Sequence, residues 1–151
     1  MGQMTGLFAK GKPIKIFYKT TATATGGRSG TAALNDGSFS VEMVRPDSGE
    51  AGVNPEQLFA LGYAACFDSA MDLTAKQLKL DATGSKTSID VGIGQRAEGG
   101  YGLDLDITVY LPGMARDDAQ RLVEATHQVC PYSNATRNNI DVRLHVETEE
   151  V

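Results

Sequence analysis

The stretch Asn54-Pro55-Glu56-Gln57-Leu58-Phe59-Ala60-Leu61-Gly62-Tyr63-Ala64-Ala65-Cys66-Phe67 decides the fold. Asn54 is a helix N-cap residue, and Pro55 suits the first helical position, where a backbone N–H has no partner to lose. Gln57, three residues past the cap, completes a capping-box arrangement. The helical pattern then continues to about Leu78, which predicts one long helix. Phe59, Tyr63, Cys66, Ala70 and Leu73 recur at helical spacing and are expected to form its buried face.

Upstream the pattern alternates instead. Residues 14–25 place Ile14, Ile16 and Tyr18 at alternate positions and continue as Thr-Ala-Thr-Ala-Thr, which predicts a strand. After Gly26-Gly27, residues 31–34 and 38–44 read as two more strands. Asn35-Asp36-Gly37 turns between them, because Asp-Gly tolerates the positive φ of hairpin turns. Residues 45–53 form a loop containing Pro and Gly.

Downstream of the long helix, residues 86–96 and 101–111 alternate around Glu98-Gly99-Gly100 and predict a second hairpin. A second helix is expected over residues 115–129, with Asp117 and Asp118 near its positive end and Pro131 stopping it. Residues 133–139 read as a short helical turn and 141–147 as a closing strand. The expectation is an α+β chain forming one domain over residues 1–151, with a buried central helix.

Composition narrows the function classes. The 151 residues are 41% hydrophobic and 22% charged, which is ordinary for a globular domain with its own core. A net charge of -5 argues against a nucleic-acid or anionic-membrane surface, since both need clustered Lys and Arg. The longest apolar run, residues 58–67, is about half of a bilayer span. Residues 1–12 show no apolar block with a small-residue cleavage site, so the expected location is the reducing cytoplasm. There a cysteine pair is more often catalytic, metal-binding or redox-sensing than a structural staple.

The chain has two cysteines, Cys66 and Cys130. Zinc is not expected: His127 lies three residues before Cys130, but no further ligand pair completes a site. Cys66 falls mid-helix among apolar residues, where burial alone raises a thiol pKa and makes it inert. Reactivity there requires a nearby positive charge. Arg28, in Thr25-Gly26-Gly27-Arg28-Ser29-Gly30, is the candidate. Glu56 at the start of the long helix reads, by itself, as a dipole partner. Cys130 sits at a helix end against Pro131, fixed in direction yet free of the helix interior, which suits a resolving cysteine.

Together these segments resemble the organic hydroperoxide resistance (Ohr) family within the OsmC-like superfamily. The resemblance is carried by Ala24-Thr25-Gly26-Gly27-Arg28, by Asn54-Pro55-Glu56-Gln57-Leu58-Phe59-Ala60 and by Gly62-Tyr63-Ala64-Ala65-Cys66-Phe67. Val129-Cys130-Pro131-Tyr132-Ser133-Asn134-Ala135-Thr136-Arg137 points to Ohr rather than its OsmC relatives, and Gly99-Gly100-Tyr101-Gly102-Leu103 is also similar. The loop over residues 45–53 departs from the family by lacking a longer Gly-rich insertion.

The resemblance implies an OsmC-like fold of antiparallel sheets packed around a long central helix, in an intertwined homodimer. It implies a cofactor-free thiol peroxidase that reduces organic hydroperoxides and is recharged by a dithiol, such as lipoyl groups on proteins or dihydrolipoamide. By position, Cys66 would be peroxidatic and Cys130 resolving, with Arg28 and Glu56 organising and activating Cys66. Phe59, Tyr63, Phe67 and Tyr132 would line an apolar entrance. An alternative from another class is a sensor or binding protein that uses the same pair without turning over.

Helix geometry adds one expectation. Ten residues separate Glu56 from Cys66, a rise of about 15 Å, with the side chains rotated apart and leaning toward the N-terminus. Within one chain Glu56 can hardly serve a site at Cys66. Two such helices packed antiparallel about a two-fold axis would bring Glu56 and Arg28 of one chain to Cys66 and Cys130 of the other.

Overall fold

The computed structural model describes residues 13–149. The segment in which no secretory signal was expected, residues 1–12, lies outside them. The element order is β1 (Ala22–Thr25), a 3-10 turn (Gly27–Ser29), β2 (Thr31–Leu34), β3 (Ser40–Glu42), α1 (Pro55–Leu78), β4 (Lys86–Gln95), β5 (Tyr101–Tyr110), α2 (Arg116–Val129), α3 (Pro131–Thr136) and β6 (Val142–Glu147).

The capping box at the start of α1 forms as read. The Gln57 amide N–H donates to Asn54 Oδ1 at 2.8 Å, and the Asn54 N–H donates to Gln57 Oε1 at 2.9 Å. The helix then runs unbroken to Leu78 and ends on Lys79 in the left-handed region. Its buried face is Tyr63, Phe67, Met71, Thr74 and Ala75. That face packs against β4 and α2. Leu73, expected inside, is 57% exposed, because the true stripe is offset by one position from the one chosen. Leu61 on the far side of the helix is also exposed. Apolar residues therefore lie on both sides of α1, and the described residues cover only one of them.

The second sheet supplies the opposite wall, in the order β4-β5-β6. β5 is central, and its alternate residues Leu105, Ile107 and Val109 are fully buried, with Leu111 following. They meet Tyr63, Phe67, Met71, Leu122, Val123 and Cys130 in one core cluster. Each fully buried side chain of this size contributes about 1.5–3 kcal/mol. β4 and β5 pair antiparallel as expected, through a hairpin whose Gly99 and Gly100 have positive φ. β6, however, runs parallel to β5. A parallel neighbour needs a long crossover, and α2 with α3 provides it.

The first sheet, β1-β2-β3, is antiparallel and small. The expected strand over residues 14–25 shortens to Ala22–Thr25, since β2 offers only four residues to pair with. Ile14, Phe17 and Tyr18 are left exposed, Phe17 almost completely. The strands of this sheet contact chiefly one another. Among the described residues, no helix is long and apolar enough to cross a membrane.

Candidate active site

Two constellations emerge from this scaffold. The first is built at the junction of α1, α2 and α3. Cys66 projects from α1 beside the buried stripe and packs against the core cluster, while Cys130 is fully buried. Both are free thiols. Cys130 is at once the C-cap of α2 and the N-cap of α3, with an extended backbone (φ -64°, ψ 126°). Pro131 thus does more than stop α2, because it also begins α3, two residues earlier than the turn expected over 133–139.

The groups acting on Cys66 are local. Burial pushes its thiol up from the ordinary range, and Cys130 adds to this by its charge and by a hydrogen bond. The Tyr132 backbone N–H works against them by bonding the sulfur. That amide was missed by sequence reasoning, which read Tyr132 only as a side chain. Arg28 is not among the groups that act on the thiol. A thiol raised by burial and lacking a cation is a poor nucleophile.

The aromatic residues named from sequence divide. Phe59, Tyr63 and Tyr132 form a ring cluster with centroids 5.4 to 6.0 Å apart. Tyr132 lies so close to α1 that a Cβ on Gly62 would stand 2.5 Å from its hydroxyl. Phe59 lines a cavity of about 390 Å³ with Tyr101, Leu103 and Ile140, with Arg96 also on its wall. Tyr63 and Phe67, expected to line an apolar entrance, are fully buried in the core. The Tyr63 hydroxyl is instead bonded to Ser133 Oγ at 2.7 Å.

The second constellation is Arg28 with Glu56. The guanidinium donates from Nη1 to Oε2 at 2.8 Å and from Nη2 to Oε1 at 2.5 Å, a bidentate fork. Hydrogen bonding to Arg28 holds the Glu56 carboxyl below its usual range, and Glu56 in turn raises the guanidinium. Arg28 and Glu56, expected together at one site, thus pair with each other within a single chain. Its loop is framed by glycines for a steric reason. Gly26 has φ 79°, and a Cβ on Gly30 would fall 1.8 Å from the Thr25 carbonyl oxygen. Nearly half of the Arg28 side chain remains exposed, so one face of the fork is open.

The structure thus brings Cys66 to Cys130 and Arg28 to Glu56, and does not join the pairs. Among the described residues no cluster of three or more His, Cys, Asp or Glu could hold a metal.

Comparisons with known proteins agree with this architecture. The model of the OsmC-like protein family matches residues 47–145. The organic hydroperoxide resistance protein of Xanthomonas axonopodis pv. citri is 50% identical over 138 residues, covering 87% of this chain and 96% of that protein. Among solved structures, an organic hydroperoxide resistance protein from Elizabethkingia anophelis superposes with a TM-score of 0.81 at 45% identity, over 90% of this chain and 100% of that one. OhrB of Bacillus subtilis gives a TM-score of 0.80 at 38% identity, over 86% and 98%. With half of its residues identical over most of both chains and its fold shared, this chain belongs to the organic hydroperoxide resistance proteins of the OsmC-like family.

Proposed function

We propose that the protein is a cysteine-based peroxidase that reduces organic hydroperoxides, alkyl and lipid hydroperoxides above all, to alcohols. It would work as a homodimer with two sites, each using Cys66 and Cys130 of one copy and Arg28 and Glu56 of the other. One observation carries this reading: a thiol pair without a cation stands in the same chain as a preformed Arg–Glu fork without a nucleophile. The uncovered apolar side of α1, with Leu61 and Leu73, and the weakly supported first sheet favour a second copy as the element that unites them.

The chemistry follows from thiol physics. The guanidinium favours the Cys66 thiolate, which attacks the terminal oxygen of the hydroperoxide. An S–O bond forms, the O–O bond breaks, and its electron pair leaves as alkoxide, which takes a proton to become the alcohol. Arg28 offsets the charge on that leaving oxygen. Cys130 then attacks the sulfenic sulfur, forming the disulfide and releasing hydroxide, which is protonated to water. This outpaces oxidation to sulfinic acid. An external dithiol, such as a dihydrolipoyl group, returns both thiols by two exchange steps. No cofactor takes part.

The test is turnover. With excess dihydrolipoamide, each chain should consume many equivalents of an alkyl hydroperoxide. Consumption that stops after one equivalent would mark a sensor instead.

A further inference from the structure

The corner that carries Cys130 contains a buried polar chain that the reaction above does not use. Ser133 Oγ lies 2.8 Å from His127 Nδ1 and 2.7 Å from the Tyr63 hydroxyl. Thr136 Oγ1 stands 3.4 Å from the same hydroxyl and donates to the Ser133 carbonyl at 3.2 Å. Tyr63, Ser133 and Thr136 are buried. Arg137, just after α3, donates from Nη2 to the His127 carbonyl and from Nη1 to Asn134 Oδ1 at 2.7 Å. These bonds cross from α2 to α3, and the Tyr63 link continues to α1.

The placement matters because of what Cys130 lacks. Its backbone joins α2 to α3, and its side chain makes no capping bond to α3. The direction of its sulfur is therefore set by the angle between the two helices. His127 and Ser133 hold that angle from one residue on each side. Tyr63, three residues before Cys66 on α1, ties the corner to the helix that bears the other thiol. Burial, and behind it the charge of Arg137, hold His127 below its ordinary value, so the imidazole is neutral near pH 7. A neutral ring nitrogen can accept from Ser133 Oγ–H, which leaves Ser133 Oγ to accept from the Tyr63 O–H. Every hydroxyl in the chain is then used once as a donor.

We propose that His127 is a positioning residue for the thiol pair, acting through Ser133 and Tyr63 to fix the α2–α3 corner and present Cys130 to Cys66. The proposal rests on the peroxidase reading for its purpose, but its test needs no hydroperoxide. The protein is equilibrated in glutathione buffers, and the fraction with a Cys66–Cys130 disulfide gives the effective concentration of one thiol for the other.

In His127→Ala that concentration should fall about tenfold, which raises the reduction potential by about 30 mV. His127→Asn, whose amide sits near the place of Nδ1, should return to within about threefold of the parental equilibrium. Tyr63→Phe, which removes the far end of the chain, should shift the potential in the same direction and keeps the test open if His127→Ala misfolds. An unchanged potential in His127→Ala or Tyr63→Phe would overturn the proposal. So would His127→Asn shifted as far as His127→Ala with the parental thermal midpoint kept, since that marks general loosening. A parental chain that forms no such disulfide at any glutathione poise would overturn the peroxidase reading as well.

Discussion

The thiol corner and the Arg28 loop are stabilised by opposite means. Cys66 and Cys130 stand at the meeting of three helices, backed by the core of β5 and α1, and burial raises the Cys66 thiol. Arg28 stands on a loop of a sheet that packs on little else, and a carboxylate fork with tight glycine geometry sets its direction. Burial supplies precision for the thiols and raises the Cys66 pKa. Exposure leaves the guanidinium open on one face. Each region holds what the other lacks, and the proposed site draws on both.

Substitutions at the thiols should separate the regions most sharply. Cys66→Ser should abolish turnover, whereas Cys130→Ser should keep the first oxidation and lose recycling. Without a partner thiol, Cys66 in that second variant should advance to sulfinic or sulfonic acid, read by mass spectrometry after hydroperoxide treatment. Retained turnover in Cys66→Ser would remove the thiol corner from the chemistry.

Next in size comes the cation. Arg28→Ala should slow Cys66 oxidation by about 10²-fold, the scale for losing one preorganised charge-stabilising group. It should also move the pH profile of Cys66 alkylation upward, toward that of a buried thiol without a cation. Arg28→Lys should not restore the parental rate, because an ammonium cannot form the two-point fork seen with Glu56. If Arg28→Ala oxidises at the parental rate, the loop is unrelated to the thiols.

The smallest effects come from two glycines, and they should fall on different steps. Gly30→Ala must displace the Arg28 loop, since its Cβ would meet the Thr25 carbonyl at 1.8 Å, so the oxidation step should slow. Gly62→Ala meets only the end of the Tyr132 ring, at 2.5 Å from the hydroxyl. It should slow disulfide formation a few-fold, while helix stability gains about 0.5–1 kcal/mol from removing a mid-helix glycine. Rapid quench with mass spectrometry resolves the two steps. An equal effect of both variants on the same step would blur the distinction between the regions.

How far the sequence disclosed this depends on whether the signal is local. The capping box and Pro55 placed α1 to the residue, because the bonds involved span three positions. Arg28 and Glu56 were named together through the family resemblance, and helix geometry alone set Glu56 apart from Cys66 of the same chain. Strand direction was not local: β6 pairs parallel to β5 only because α2 and α3 intervene. Residues 14–21 alternate like a strand, but alternation does not create a pairing partner within the chain. The polar chain at the corner was out of reach, since Tyr63 meets Ser133 across 70 residues and Thr136 across 73. His127 was weighed only as a zinc ligand, and the Tyr132 contribution is a backbone amide that no residue type advertises.

The most direct test of the central claim, that the two regions unite only between copies, is complementation. Cys66→Ser and Arg28→Ala chains, each impaired alone, are unfolded together, refolded together and assayed. Random pairing makes half of the dimers mixed, each with one site carrying Cys66 and Arg28 intact, so activity should reach about one quarter of the parental value per chain. A mixture no more active than the two variants assayed separately, alongside a parental chain that sediments as a fully active monomer, would contradict the shared site.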